Sequence, residues 1–163
     1  MAVGKSTVGR LLAQQLGFSF LDTDHVIEER AGADVAWIFD VEGEQGFRDR
    51  ETQVIDELSQ LEGVVIATGG GAVLRECNRQ MLAARGCVVY LDSPLERLLE
   101  RTQKDKKRPL LKSGDPTETL ARLRVEREPL YNEISDYRFL TDRQGPKLLA
   151  RSIARRLEQD GVV

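Results

Sequence analysis

Two short runs, Val64-Val65-Ile66-Ala67 and Cys87-Val88-Val89-Tyr90-Leu91, are apolar at every position rather than at alternate ones. A strand of that composition hides both faces, and a sheet hidden on both faces runs parallel with helices on each side. The neighbouring segments supply such helices. Val8, Leu11, Leu12 and Leu16 recur at helical spacing over Lys5 to Leu16, and Gly17 stops the pattern. Asp24 to Arg30 and Asp34 to Phe39 read as short helices about a break at Gly32, and Glu44 to Leu61 as a longer one. Pro94 to Gln103 and Thr117 to Ile134 read as helices as well, and Leu148, Leu149, Ile153 and Leu157 stripe a last one. Phe18 to Leu21 suits a strand between Gly17 and Asp22, with Tyr137 to Leu140 a weaker one. Strands alternating with helices at this spacing predict an α/β fold of three layers, a central parallel sheet with helices on both faces.

A chain of 163 residues fits one domain, and residues 1–163 are read as a single unit. The formal net charge of -3 argues against a broad nucleic-acid surface, which needs dense positive charge. Cys77 and Cys87 lack CxxC spacing, and with His25 the lone histidine no zinc cluster can be assembled. The cysteines are expected to be reduced core or surface thiols, His25 a polar helix residue and Trp37 a core residue. No signal peptide or apolar run of spanning length is present, so the expected compartment is the cytoplasm and the default state a monomer.

Gly4-Lys5-Ser6-Thr7 leads directly into the first helix, and G-K-[ST] at a helix start is the second half of a P-loop. There, backbone N–H groups and the helix dipole cradle phosphates, Lys5 neutralises β/γ oxygens, and Ser6 can ligate Mg²⁺. A complete GxxxxGK[ST] loop would place its first glycine one residue before Met1, after a buried strand that this sequence does not contain. That strand is usually central, so its loss is expected to leave unpaired strand edges and a split core. The expectation is that Met1 is an internal methionine of the loop, the natural protein beginning roughly ten residues earlier, given typical strand lengths.

Asp22-Thr23-Asp24 places two carboxylates at a strand end near those phosphates. One can hold Mg²⁺ or its waters while the other accepts a hydroxyl proton, or Asp22 or Thr23 simply caps the next helix. Both roles can coexist. Gly69-Gly70-Gly71 follows the strand Val64 to Ala67 at the same sheet edge, allowing either close backbone approach to a ligand or a plain tight turn. Lys104 to Pro116, rich in Lys, Arg, Gly and Pro, is the best candidate for a mobile loop.

Six ordered motifs resemble those of the shikimate kinase family, within the P-loop kinases that include nucleoside monophosphate kinases. They are GKST at Gly4 to Thr7, DTD at Asp22 to Asp24, GEQGFRDRE from Gly43 to Glu51, ATGGGA from Ala67 to Ala72, KKRPLL from Lys106 to Leu111 and REPLY from Arg127 to Tyr131. The resemblance implies a P-loop kinase fold with a lid at about 104–116, using ATP with Mg²⁺ to phosphorylate the 3-hydroxyl of shikimate. By resemblance, Ala2, Val3, Gly4, Lys5, Ser6 and Thr7 hold ATP phosphates, and Ser6 with Asp22 organises the metal. Asp24 would bind the accepting hydroxyl as base or orienter. Arg48 and Arg127 would clamp the substrate carboxylate, Glu51 positioning an arginine, and Gly70 would offer its backbone N–H. Arg108 in the lid would reach the transferring phosphate, and Gln144 and Arg101 would contact the adenine end of ATP. Arginine forks suit that assignment because they bind carboxylates bidentately.

Ala2 and Val3 stand where the family commonly has glycine and alanine, which bears on nucleotide affinity. A gluconate-type or nucleotide kinase of the same fold is the nearest alternative. A nucleotide acceptor would want a stacking pocket, whereas aromatics are 6% of residues and only Phe47 stands beside the acceptor motifs. A catalytically dead binding relative is the alternative from another class, against which the intact Asp24, Arg48, Arg108 and Arg127 argue.

Overall fold

The structure is a computed structural model, and it describes residues 4–93, 116–141 and 144–163. In chain order the described elements are α1 (Lys5–Leu16), β1 (Ser19–Asp22), α2 (Thr23–Ala31), α3 (Val35–Leu58), β2 (Val64–Ala67), a 3₁₀ turn (Gly70–Val73), α4 (Glu76–Arg85), β3 (Val89–Asp92), α5 (Pro116–Ile134), β4 (Tyr137–Leu140) and α6 (Pro146–Gln159). The expected helix over Pro94 to Gln103 lies outside the described residues, as do Ala2, Val3, Arg101 and Arg108.

Every strand pair is parallel, as the continuous apolar runs predict. β1 pairs with β2 in the register Ser19 to Val64 through Asp22 to Ala67, and β3 pairs with β4 from Val89 to Tyr137 through Asp92 to Leu140. Among the described residues these are two separate two-stranded sheets. The core is divided in the same way. Val8 and Leu12 of α1 pack with Leu149, Ile153 and Leu157 of α6, whereas Ile27 of α2 packs with Ile38, Phe47, Val54 and Leu58 of α3. Between the two sheets lies a cleft of about 450 Å³, lined by Val65 and Ile66 of β2, Val89 and Leu91 of β3, and Leu12 and Ile153 from the helices. This is the split sheet and divided core anticipated above.

The two helical stretches expected after Gly32 do form, as the two arms of α3 on either side of a kink at Gly43 with φ 77° and ψ 176°. That backbone region is open to glycine alone, so the kink is written into the sequence at this position. Several local expectations are corrected. Trp37 is not a core residue but 49% exposed. Its neighbour Ile38 takes the inward position, and the residue next to an inward one on a helix turns about a quarter of the circumference away. Strand β3 starts at Val89 rather than Cys87, because Asp136 caps the approach, accepting from the Val88 N–H at 2.7 Å and donating its own N–H to the Val88 carbonyl at 2.8 Å. Both cysteines are exposed and free. Helix α4 was not anticipated from the sequence at all. Its stretch Glu76 to Arg85 includes Cys77, Met81, Leu82, Ala83 and Ala84, yet its one buried side chain is the polar Asn78.

Candidate active site

The parallel registers bring the carboxyl ends of β1 and β2 side by side, so Asp22 and Ala67 are partners and the segments that follow them share one edge. In an open α/β sheet, ligands bind beyond that edge. Asp22 is the last residue of β1 and also the N-cap of α2, so the capping reading of it holds. Its Oδ1 accepts from the Asp24 and His25 backbone N–H groups at 2.9 and 3.4 Å, while its Oδ2 accepts from the Ser6 hydroxyl at 2.5 Å. The cap satisfies amide groups that the helix start leaves without partners. The bond to Ser6 joins β1 to the first turn of α1, so GKST and DTD converge as expected.

Gly4 precedes α1, and Lys5 and Ser6 open it half-buried while Thr7 faces solvent. The free amide groups of such a helix start favour an anion. The Ser6 hydroxyl and Asp22 carboxylate form an oxygen-only pair beside it. That donor set fits a hard divalent cation held chiefly by phosphates and water with one or two protein oxygens. Among the described residues no group of three or more His, Cys, Asp or Glu side chains could hold a metal by itself.

On the other side of Asp24 lies a buried charged cluster. Arg48, Glu51 and Arg127 are 5%, 0% and 4% exposed. Arg48 and Glu51 are one turn apart on α3, and an Arg48 terminal nitrogen donates to Glu51 Oε1 at 2.9 Å. The guanidinium also lies 5.2 Å from the Phe47 ring centroid, a cation over an aromatic face. The Nε atoms of Arg48 and Arg127 and the Oε2 of Glu51 are buried with no hydrogen-bond partner among the described residues. Buried groups of that kind are costly unless something pairs with them. Burial pushes the Glu51 carboxyl above its ordinary range, the Arg48 charge pulls it back, and the Asp24 and Arg127 charges act on it as well.

Of the two readings of the glycine run the tight turn is observed, and it packs closely on neighbouring side chains. Gly69 leads into the 3₁₀ turn, and its backbone packs so closely on the Asp24 carboxylate that a methyl group added there would sit 3.1 Å from Oδ1. A methyl group on Gly71 would fall inside the Arg48 guanidinium. The turn therefore presents bare backbone to Asp24, Glu51 and Arg48 together. The structure thus brings Asp24, Arg48, Glu51, Gly70 and Arg127 to one edge, next to Lys5, Ser6 and Asp22. Gln144 is exposed, just ahead of α6.

Sequence reasoning assigned no role to three supporting contacts. The Tyr131 hydroxyl donates to the Gly70 carbonyl at 2.7 Å, and the buried Asn78 donates to the Ala72 carbonyl at 3.0 Å. Asp92, buried at the end of β3, accepts from Arg124 at 3.3 Å and from Arg138. Tyr131 stands inside the REPLY motif, so a signal existed for it; the other two stand in no recognisable pattern.

A parallel sheet whose carboxyl edge carries a G-K-S helix start, a Ser–Asp oxygen pair and a separate buried arginine cluster defines a P-loop phosphotransferase with its own acceptor pocket. The family model of shikimate kinases matches residues 1–158. The shikimate kinase of Aliivibrio fischeri is 57% identical over 98% of this chain and 92% of its own, and that of Vibrio campbellii 55% over the same shares. A solved shikimate kinase from Acinetobacter baumannii, in complex with shikimate, superimposes with a TM-score of 0.95 at 47% identity, covering 98% of this chain and 89% of that one. The chain belongs to the shikimate kinase family. It has the P-loop kinase fold and is an ATP-using kinase, a chemistry that calls for a divalent cation.

Proposed function

We propose that this chain transfers the γ-phosphoryl group of ATP to the 3-hydroxyl of shikimate, with Mg²⁺ as the cation, in the biosynthesis of chorismate and the aromatic amino acids. The observation that carries the acceptor is the pair of buried arginines, Arg48 and Arg127, each with an Nε that has no hydrogen-bond partner among the described residues, around a carboxylate, Asp24, and a bare glycine turn. A small polyol bearing a carboxylate supplies what those groups lack: an anion for the arginine forks and hydroxyls for Asp24 and the Gly70 N–H.

In this reading Lys5 and the amide groups opening α1 hold the phosphates of ATP, together with Gly4, Thr7, Ala2 and Val3. Ser6 and Asp22 would hold Mg²⁺, which when bound would offset the charge of the phosphates. Arg48 and Arg127 grip the substrate carboxylate, Glu51 holding Arg48 in line. Asp24 orients the acceptor hydroxyl and takes its proton as the oxygen bonds to the γ-phosphorus. The bond to the β–γ bridging oxygen breaks and ADP leaves. Because phosphoryl transfer asks little covalent chemistry of a protein, positioning and charge supply most of the acceleration. Arg108 of the lid at about 104–116 would meet the transferring phosphate, and Arg101 and Gln144 the adenine end. Residues 1–163 act as one domain, a cytoplasmic monomer without nucleic-acid or membrane partners. No helix among the described residues is long and apolar enough to cross a membrane.

An ADP-release assay with ATP, Mg²⁺ and shikimate tests the reading. Shikimate-dependent turnover is expected, and Asp24→Asn is expected to abolish it while ATP binding persists. Normal turnover in that variant would remove Asp24 from the mechanism. A folded protein with no shikimate-dependent turnover at all would point to a non-catalytic relative or another acceptor.

A further inference from the structure

We infer that Tyr131 is a positioning residue for the acceptor site, fastening the glycine turn to α5 one helical turn beyond Arg127 so that the turn and the carboxylate clamp are held as one frame. The inference rests on the acceptor reading above.

The segment Gly69 to Gly71 has no side chains with which to fix itself, and glycine has the widest backbone freedom of any residue. Its shape must be set from outside. The rear of the turn is fastened to α4: the Ala72 carbonyl accepts from Asn78 at 3.0 Å and the Val73 carbonyl from Arg79 at 2.8 Å. The Gly69 and Gly71 carbonyls accept from Ala72 and Leu74 N–H groups, both at 3.1 Å, inside the segment itself. At Gly70 the outside fastening is the Tyr131 hydroxyl, at 2.7 Å across 61 residues of sequence.

Tyr131 is well placed to hold. Its ring packs against Tyr90 of β3, with centroids 4.9 Å apart and planes inclined by 37°, which aims the hydroxyl. It lies four residues after Arg127, so both side chains leave the same face of α5. Pro129 stands between them and cannot donate a backbone hydrogen bond to the preceding turn. The helix is least braced by its own ladder at the point where it carries the clamp, and the bond to Gly70 braces it from the side. The hydroxyl meets a carbonyl of the protein rather than a reacting atom, so its effect passes through the Gly70 backbone and Arg127.

Tyr131→Phe keeps the ring and its packing on Tyr90 while removing the hydroxyl. In this variant KM and Kd for shikimate are expected to rise roughly 3- to 10-fold, the effect of one lost hydrogen bond. The kcat and the KM for ATP are expected to stay within about twofold, as for a loss of uniform binding of one substrate. Without any substrate present, amide hydrogen exchange over residues 69–72 is expected to quicken while exchange in α1 and α6 does not. A merely structural role would quicken exchange throughout and raise no selective KM. Unchanged shikimate Kd and KM in the folded variant, or an equal rise in the KM for ATP, would overturn the inference alone. A wild-type protein that neither binds nor phosphorylates shikimate would instead overturn the acceptor reading, and this inference with it.

Discussion

Glu51 is completely buried yet carries an ionisable group whose ordinary value is near 4.5, and burial holds that group above this value in the fold. The sign of its effect follows from linkage. Between the unfolded value and the raised folded one, the native state binds more protons than the unfolded state, so this residue's contribution to stability falls as pH rises through that window. Glu51→Gln removes the titration while keeping a hydrogen-bond acceptor for Arg48. The difference in Tm, variant minus wild type, is therefore expected to rise from pH 4 towards neutrality in a thermal-unfolding series. A difference that is flat with pH would mean that Glu51 titrates as it does in the unfolded chain. At this scale the grouping of residues was largely legible. Asp24 could be read from its place at a strand end near the G-K-S helix start, Arg48, Glu51, Gly70 and Arg127 came from the resemblance to the family's motifs, and the structure brings all five to one edge. What could not be read was support acting across long sequence separations, such as Arg138 reaching Asp92 across 46 residues, because neither residue type nor spacing marks such a pair.

Elements were legible where a period dominated and illegible where tertiary contacts did the work. The apolar stripe of α1 and its stop at Gly17 are both where the pattern put them, but α4 has no stripe and is held through Asn78 and the Arg79 contact with Glu133 at 2.7 Å. Trp37 failed for a related reason: hydrophobicity alone cannot say which of two adjacent residues on a helix turns inward. The kink in α3 lies between these cases, since a glycine in the middle of a helix signals a break without giving its geometry. At Gly43 the backbone stands at φ 77° and ψ 176°, with nothing within 4 Å of where a methyl group would be added. A substitution there meets no steric obstacle beyond the backbone itself. Gly43→Ala is accordingly expected to destabilise by about 1–3 kcal/mol, the cost of such a conformation for a residue with a side chain. For a protein of this size that lowers Tm by roughly 2–12 °C in a calorimetric scan. Because the kink sets the approach of the turn that bears Arg48, shikimate affinity is expected to weaken along with it. An unchanged Tm would mean that α3 straightens without cost.

In the molecule as a whole, the two halves of the chemistry sit on different cores. The residues proposed to hold the phosphates open α1, which packs with α6, while Asp24, Arg48 and Glu51 stand on α2 and α3, which pack with each other. The 2.5 Å bond from the Ser6 hydroxyl to Asp22 Oδ2 links one half to the other at the place where the metal is proposed to sit. Asp22 serves two ends at once, capping α2 and facing Ser6, so any substitution of it would mix helix stability with the proposed metal binding. Ser6 caps nothing, and Ser6→Ala separates the two effects. The variant is expected to keep its Tm and its Kd for shikimate, measured without nucleotide, because the acceptor cluster and the α2 cap remain intact. It is expected to need roughly tenfold more Mg²⁺ for half-maximal turnover at fixed ATP, the scale of a lost ligand or outer-sphere contact. Saturating Mg²⁺ should then restore most of the rate. If shikimate binding weakened in step with the Mg²⁺ requirement, the Ser6–Asp22 bond would be carrying the geometry of Asp24 as well, and the two halves would behave as a single site.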